Sequence, residues 1–143
     1  MHWRNECGIL AAMTAVKIPY ELPTLAETRR AIAEREDRLA RRNADPGVQV
    51  VLASARSEAA AAARLLRDRF GASRVRVFGS LARGDTDERF DIDLAVEGIA
   101  RESFFAACAA ARSVVTRELD VIDLADASPL LRQRVEQDGI DVP

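Results

Sequence analysis

The sequence predicts a small α/β or α+β domain, a short sheet with helices on one side, preceded by one extra helix. From residue 46 onward, helical and strand periodicities alternate in the order helix, strand, strand, helix, strand, helix. A chain of 143 residues with 48% hydrophobic content has an ordinary single-domain length and can bury a real core. Residues 1–45 differ, carrying one highly charged helix.

In order along the chain, TLAETRRAIAEREDRLARRNADPG places Thr24 and Glu27 at capping-box spacing, which predicts a helix starting near Leu25. Asp45-Pro46-Gly47 ends it. Leu25, Ile32 and Leu39 recur every seven residues among charged and small ones, a thin apolar seam. Such a seam suits a solvated helix, or one that docks on a partner or on a second copy. In VQVVLASARSEAAAAARLLRDRFG, Val48, Val51, Leu52, Ala55, Ala59, Ala62 and Leu66 share one helical face, as in a core helix, and Gly71 suits its C-terminal cap. RVRVF and FDIDLAV alternate with period two, RESFFAACAAARSVV is helical, ELDVIDL is strand-like and SPLLRQRVEQDG is helical again. The expected division is an extension over 1–45 and a sheet domain over 46–143.

Composition excludes several function classes. With 21 basic and 23 acidic residues the net charge is −2, so no long electrostatic track for nucleic acid is expected. Cys7 and Cys108 have no paired spacing and His2 is the lone histidine, which argues against a zinc site or a Cys-His catalytic pair. GILAAMTAV is too short to span a membrane and follows Glu6, so the chain reads as cytoplasmic; Met13 is an alternative start.

The chemistry concentrates in VFGSLARGDTDERFDIDLAV, residues 77–96. Asp91 and Asp93 are two apart on a strand, so both carboxylates leave one face while Ile92, Leu94 and Val96 point into the core. Paired like charges call for a shared cation, and Mg²⁺ suits an all-oxygen pair with open positions for water and phosphate. Upstream, Gly79 permits a tight turn, Ser80 adds a hydroxyl, and the amides that follow can open a short helix and hold an anion, with Arg83 nearby. Phosphates at the turn and metal at the aspartates make one device. The strand ELDVIDL is expected beside the aspartate strand, which makes Asp120 the candidate third acid for a two-Mg²⁺ phosphoryl-transfer site. Asp123, near that strand's end, suits a turn or helix cap.

Residues 79–96, GSLARGDTDERFDIDLAV, resemble the DNA polymerase β-like nucleotidyltransferase superfamily, specifically its minimal nucleotidyltransferases (MNT), in their Gly-Ser, Ala-Arg-Gly and Asp-x-Asp elements. The likeness runs over roughly residues 48–140. It implies a nucleotidyltransferase fold with a small mixed sheet, and ATP as nucleotide substrate. It also implies Gly79 and Ser80 for the phosphates with Arg83 near them, Asp91 and Asp93 as metal ligands, and Asp120 as the third carboxylate. Phe90 departs from the family pattern, which usually has a small polar residue before the first aspartate, and residues 1–45 have no counterpart. Members of this group resemble antitoxins of HEPN-type toxins, some of them similar to enzymes that transfer AMP to a toxin tyrosine. The resemblance thus implies a protein partner, in a homo- or hetero-oligomer. Size agrees, because a domain of about a hundred residues has little spare structure for a second-substrate pocket, whereas a partner's hydroxyl needs only a surface. Two other readings remain at this point: a non-catalytic module that occludes its partner, and transfer to a small molecule such as an aminoglycoside or to an RNA end.

Overall fold

The computed structural model describes residues 21–86 and 89–143; His2, Cys7, Met13 and the apolar stretch at 8–16 lie outside them. Packing divides the chain into two units, one ending at Glu34 and one covering Arg35–Pro143. Helix α1 (Leu25–Asn43) opens on the expected capping box: the Thr24 amide and hydroxyl donate to Glu27 Oε2 at 2.7 and 2.8 Å, and the Glu27 amide donates to Thr24 Oγ1 at 3.2 Å. None of its residues is buried.

Helix α2 (Pro46–Phe70) starts where Asp45 Oδ1 accepts from the amides of Gly47 (2.7 Å) and Val48 (3.2 Å), and it stops at Gly71 in the left-handed region. Leu52, Ala55, Ala59, Ala62, Ala63 and Leu66 are buried, and the small alanines let the helix lie close on the sheet. Val51, expected on this face, is 40% exposed, because its position at the edge of the stripe faces an open cavity.

The remaining elements are β1 (Arg74–Phe78), α3 (Gly79–Arg83), β2 (Ile92–Glu97), a 3₁₀ turn at Arg101–Ser103, α4 (Phe104–Arg112), β3 (Leu119–Asp123), α5 (Pro129–Asp138) and β4 (Ile140–Asp141). The sheet is mixed, in the order β3-β2-β1-β4. β1 runs antiparallel to β2 and β4, and β2 runs parallel to β3. β4 is too short to leave a periodic signal of its own.

Val75 and Val77 of β1 and Ile92, Leu94 and Val96 of β2 meet α2 and α4 in the main core. The opposite face is covered too, which corrects the expectation of helices on one side only. There Ala95 packs with Leu124 of the β3–α5 connection and Val135 of α5, with Phe78, Ile122 and Leu131 around them. Arg76, on that second face, is 7% exposed, and its guanidinium donates to the carbonyls of Val135 (2.9 Å) and Gly139 (2.7 Å). The apparent polar-apolar alternation of RVRVF therefore conceals a strand covered on both sides. Among the described residues, no helix is long and apolar enough to cross a membrane.

Candidate active site

The site forms at the end of the second sheet face that α5 leaves open. β1 runs into Gly79, whose φ of +69° turns the chain away from the sheet into α3, which Gly84 closes with φ +66°. Phe78 lies opposite Asp93 in the β1–β2 pairing. A Cβ on Gly79 would overlap Asp93 Oδ2 and stand 3.1 Å from its Cγ. Glycine is thus required twice at this position, for the turn and for the room it leaves to the carboxylate.

Asp93 is half-buried, and the parallel register of β2 and β3 sets it opposite Asp120 on the same face. Asp91, one residue before β2, is exposed. Burial pushes the Asp93 carboxyl above its ordinary pKa; the charges of Asp120 and Asp91 add to this, and Arg83 opposes it. The Asp120 side chain is 68% exposed, and its Oδ1 lies 3.7 Å from Arg112 Nη2, while Arg112 Nε donates to the Leu119 carbonyl at 3.0 Å. Asp123 Oδ1 accepts from the Ala125 amide at 2.9 Å, a turn-closing contact.

A cavity of about 190 Å³ is lined by Ser80, Asp85, Arg89, Phe90, Asp91 and Asp93. Of the residues singled out in the sequence, Ser80, Asp91 and Asp93 share it. Gly79 stands against Asp93 from behind, Arg83 is near enough to act on that carboxyl, and Asp120 flanks it from the next strand without lining the cavity. Among the described residues no group of three His, Cys, Asp or Glu is arranged to hold a metal ion as the side chains stand. The donor chemistry nonetheless suits a hard cation: all donors are oxygen, and the repulsion that Asp93 feels from two neighbouring acids outweighs the opposing charge of Arg83.

Sequence reasoning missed Asp85, Arg89 and Arg112 as members of this region. It also missed the two contacts that brace the turn after α3: Arg35 of α1 pairs with Asp85, and Asn43 Nδ2 donates to the Gly84 carbonyl at 2.8 Å. Partners so far apart in sequence leave no periodic trace. Phe90 is 7% exposed, and the Arg117 guanidinium lies 4.7 Å from its ring centroid. Arg117 is in turn held by Glu58 of α2, whose Oε2 accepts from the Thr116 amide (2.7 Å), the Thr116 hydroxyl (3.0 Å) and the Arg117 amide (3.3 Å). The residue before the first aspartate is therefore anchored by packing.

Residues 62–142 match the family model of polymerase beta nucleotidyltransferases. Among solved structures, a candidate minimal nucleotidyltransferase is similar with a TM-score of 0.53 and 33% identity over 62% of this chain and 93% of that one. A toxin–antitoxin complex with AMP-PNP gives a TM-score of 0.51 and 27% identity over 57% of this chain and 68% of that one. A complex of the tri-AMPylated Shewanella oneidensis HEPN toxin with its MNT antitoxin gives 0.50 and 24% over 62% and 71%, a likeness of fold alone. No curated protein is significantly similar in sequence. With residues 62–142, more than half of its length, in the family match, the chain belongs to the polymerase beta nucleotidyltransferase family.

Proposed function

We propose that this chain is a metal-dependent nucleotidyltransferase that moves AMP from ATP to a hydroxyl of a partner protein, a tyrosine of a HEPN-type toxin, and so acts as an antitoxin in the cytoplasm. The observation that carries it is the set of three aspartates on one sheet face, Asp93 opposite Asp120 and Asp91 beside them, with the Gly79 turn packed against Asp93. The likeness to a toxin–antitoxin complex holding AMP-PNP supports both the nucleotide and the protein partner. In this reading residues 1–45 are an extension and residues 46–143 are the nucleotidyltransferase domain.

Ser80 and the amides after Gly79 hold the β- and γ-phosphates, and Arg83 adds positive charge beside them. Asp91, Asp93 and Asp120 would hold Mg²⁺, which when bound neutralises phosphate charge and lowers the pKa of the attacking hydroxyl. The hydroxyl oxygen bonds to the α-phosphorus, the bond from that phosphorus to the α–β bridging oxygen breaks, and pyrophosphate leaves with its electron pair. The hydroxyl proton passes to a site carboxylate, and Asp120, whose side chain is 68% exposed, is open to an incoming acceptor. The Arg112 guanidinium, 3.7 Å away, lies within ion-pair distance of that carboxylate.

The test is the intact mass of the partner toxin after co-expression with the wild type or with Asp93→Asn. A gain of one or more AMP masses with the wild type alone is expected. No gain with either, together with a stable complex from both, would instead make this an occluding antitoxin.

A further inference from the structure

Helix α1 is 19 residues long and buries none of them, although helices in proteins owe most of their stability to an apolar face packed against something. Leu25 is 68% and Ile32 52% exposed, and Leu39 is only half-covered. Ala26, Ala33 and Ala40, all exposed, form the adjacent row at the same seven-residue interval. Residues three and four apart share a helix face, so the two rows make one stripe along α1, with Arg29 and Glu36 on its midline.

Several charges beside the stripe are already paired: Arg30 with Glu34, Arg41 with Asp37, and Arg35 with Asp85. Arg29 and Glu36, the two charges within it, have no ion-pair partner among the described residues. They stand two helical turns apart, roughly 10 Å along the axis, too far to reach each other within one helix. An apolar stripe that carries two unmatched charges of opposite sign needs a partner surface with the same two signs in reverse order.

We propose that α1 pairs with α1 of a second copy of this chain, antiparallel, about a two-fold axis passing between Ile32 and Ala33. That axis sets Arg29 of each copy against Glu36 of the other, so the ion pair forms twice. It also sets Leu25, Ile32 and Leu39 of one copy against Ala40, Ala33 and Ala26 of the other, so a large side chain meets a small one at each level. A parallel pair would instead set Arg29 against Arg29 and Glu36 against Glu36, which like-charge repulsion disfavours. The occupant is a second copy because the stripe supplies its own complement, in charge and in size, and self-complementarity is what a two-fold interface requires.

The test is sedimentation equilibrium of the full chain, of Arg29→Glu, of Glu36→Arg and of the doubly reversed variant. The wild type should dimerise with a Kd on the order of 10 µM that rises with salt. Each single reversal should weaken the dimer at least about tenfold, because it turns two attractive pairs into two repulsive ones, and the double reversal should restore it. An equimolar mixture of the two single variants should form a heterodimer about as tight as the wild-type dimer, since each then carries the charges the other lacks. A wild-type dimer indifferent to the single reversals overturns the proposal, because reversing one pair of like charges in a parallel dimer leaves a pair of like charges. A dimer that neither the double reversal nor the mixture restores overturns it too. So does a wild type that stays monomeric up to about 500 µM. In that case a lower melting temperature in Ile32→Asp gives the stripe to another segment of the same chain, and loss of a co-expressed toxin from the purified Ile32→Asp gives it to that partner. Each of these results leaves the proposed transfer reaction standing.

Discussion

The Asp93 carboxylate occupies the space that a side chain at Gly79 would fill. The turn and the half-buried acid are therefore one packing unit, and neither can change alone. Gly79→Ala must place a Cβ into that carboxylate at a φ of +69°, where a non-glycine residue is strained by about 1–2 kcal/mol. A lower melting temperature is expected together with at least about a 100-fold loss of nucleotidyl transfer, since a displacement on the order of 1 Å at a reacting centre costs that much. Thermal unfolding and a transfer assay on the same preparation check both. Full activity in this variant would show that Asp93 can move without consequence.

Arg76 stitches the second sheet face to the C-terminal segment. Nη1 donates to the Val135 carbonyl and to Glu136 Oε2 at 3.0 Å, Nη2 donates to the Gly139 carbonyl, and Nε lies 3.3 Å from Asp141 Oδ1. Arg76→Ala leaves the Val135 and Gly139 carbonyls without their donor, while Glu136 and Asp141 stay solvated, and a loss of about 1–3 kcal/mol in urea unfolding is expected. A change below about 1 kcal/mol would mean that water replaces the guanidinium there.

Local signals were legible, and long-range ones were not. Thr24 with Glu27 marks a helix start because capping is settled within four residues, and Gly71 marks a helix end for the same reason, whereas Asp45-Pro46-Gly47, expected only to stop α1, also caps α2. The strand period alone puts Asp91 and Asp93 on one face, and placing ELDVIDL next to that strand brings Asp120 opposite Asp93. Arg76 was unreadable as a buried residue because its partners lie about sixty positions away. Ala95 hid the second core in the same way, being small enough to pass for a residue on either face. The pair Arg35 and Asp85 joins a helix with no buried residue to the site turn, and no pattern within either segment points to it.

That pair yields its own prediction. Arg35 is mostly exposed, so Arg35→Ala should change stability by no more than about 1 kcal/mol, and by less as salt rises. Its effect should fall on the ligand instead. Asp85 lines the acid cavity, and without Arg35 it loses one compensating charge beside the triphosphate. ATP affinity at low salt should fall roughly fivefold, the equivalent of about 1 kcal/mol, and Asp85→Asn in the same background should restore it. Titration calorimetry on the two variants distinguishes this from loss of folding, and an unchanged affinity in Arg35→Ala would assign Arg35 a purely surface role.

Glu58 links stability to pH through the support of Phe90. Burial pushes its carboxyl up, but hydrogen bonds from the Thr116 amide and hydroxyl and from the Arg117 amide, with the Arg117 charge, bring it below the ordinary glutamate value of 4.5. A folded-state value below the unfolded one means that the unfolded chain binds the proton more tightly. The stabilisation from this group is therefore complete above about pH 4.5 and is lost as pH falls through the lower folded value. Glu58→Gln should unfold about 1–2 kcal/mol more easily at pH 7, and the gap to the wild type should close as denaturant titrations move from pH 5 toward pH 3. A gap that stays constant across that range would mean that shape, and not charge, is what Glu58 supplies to Arg117.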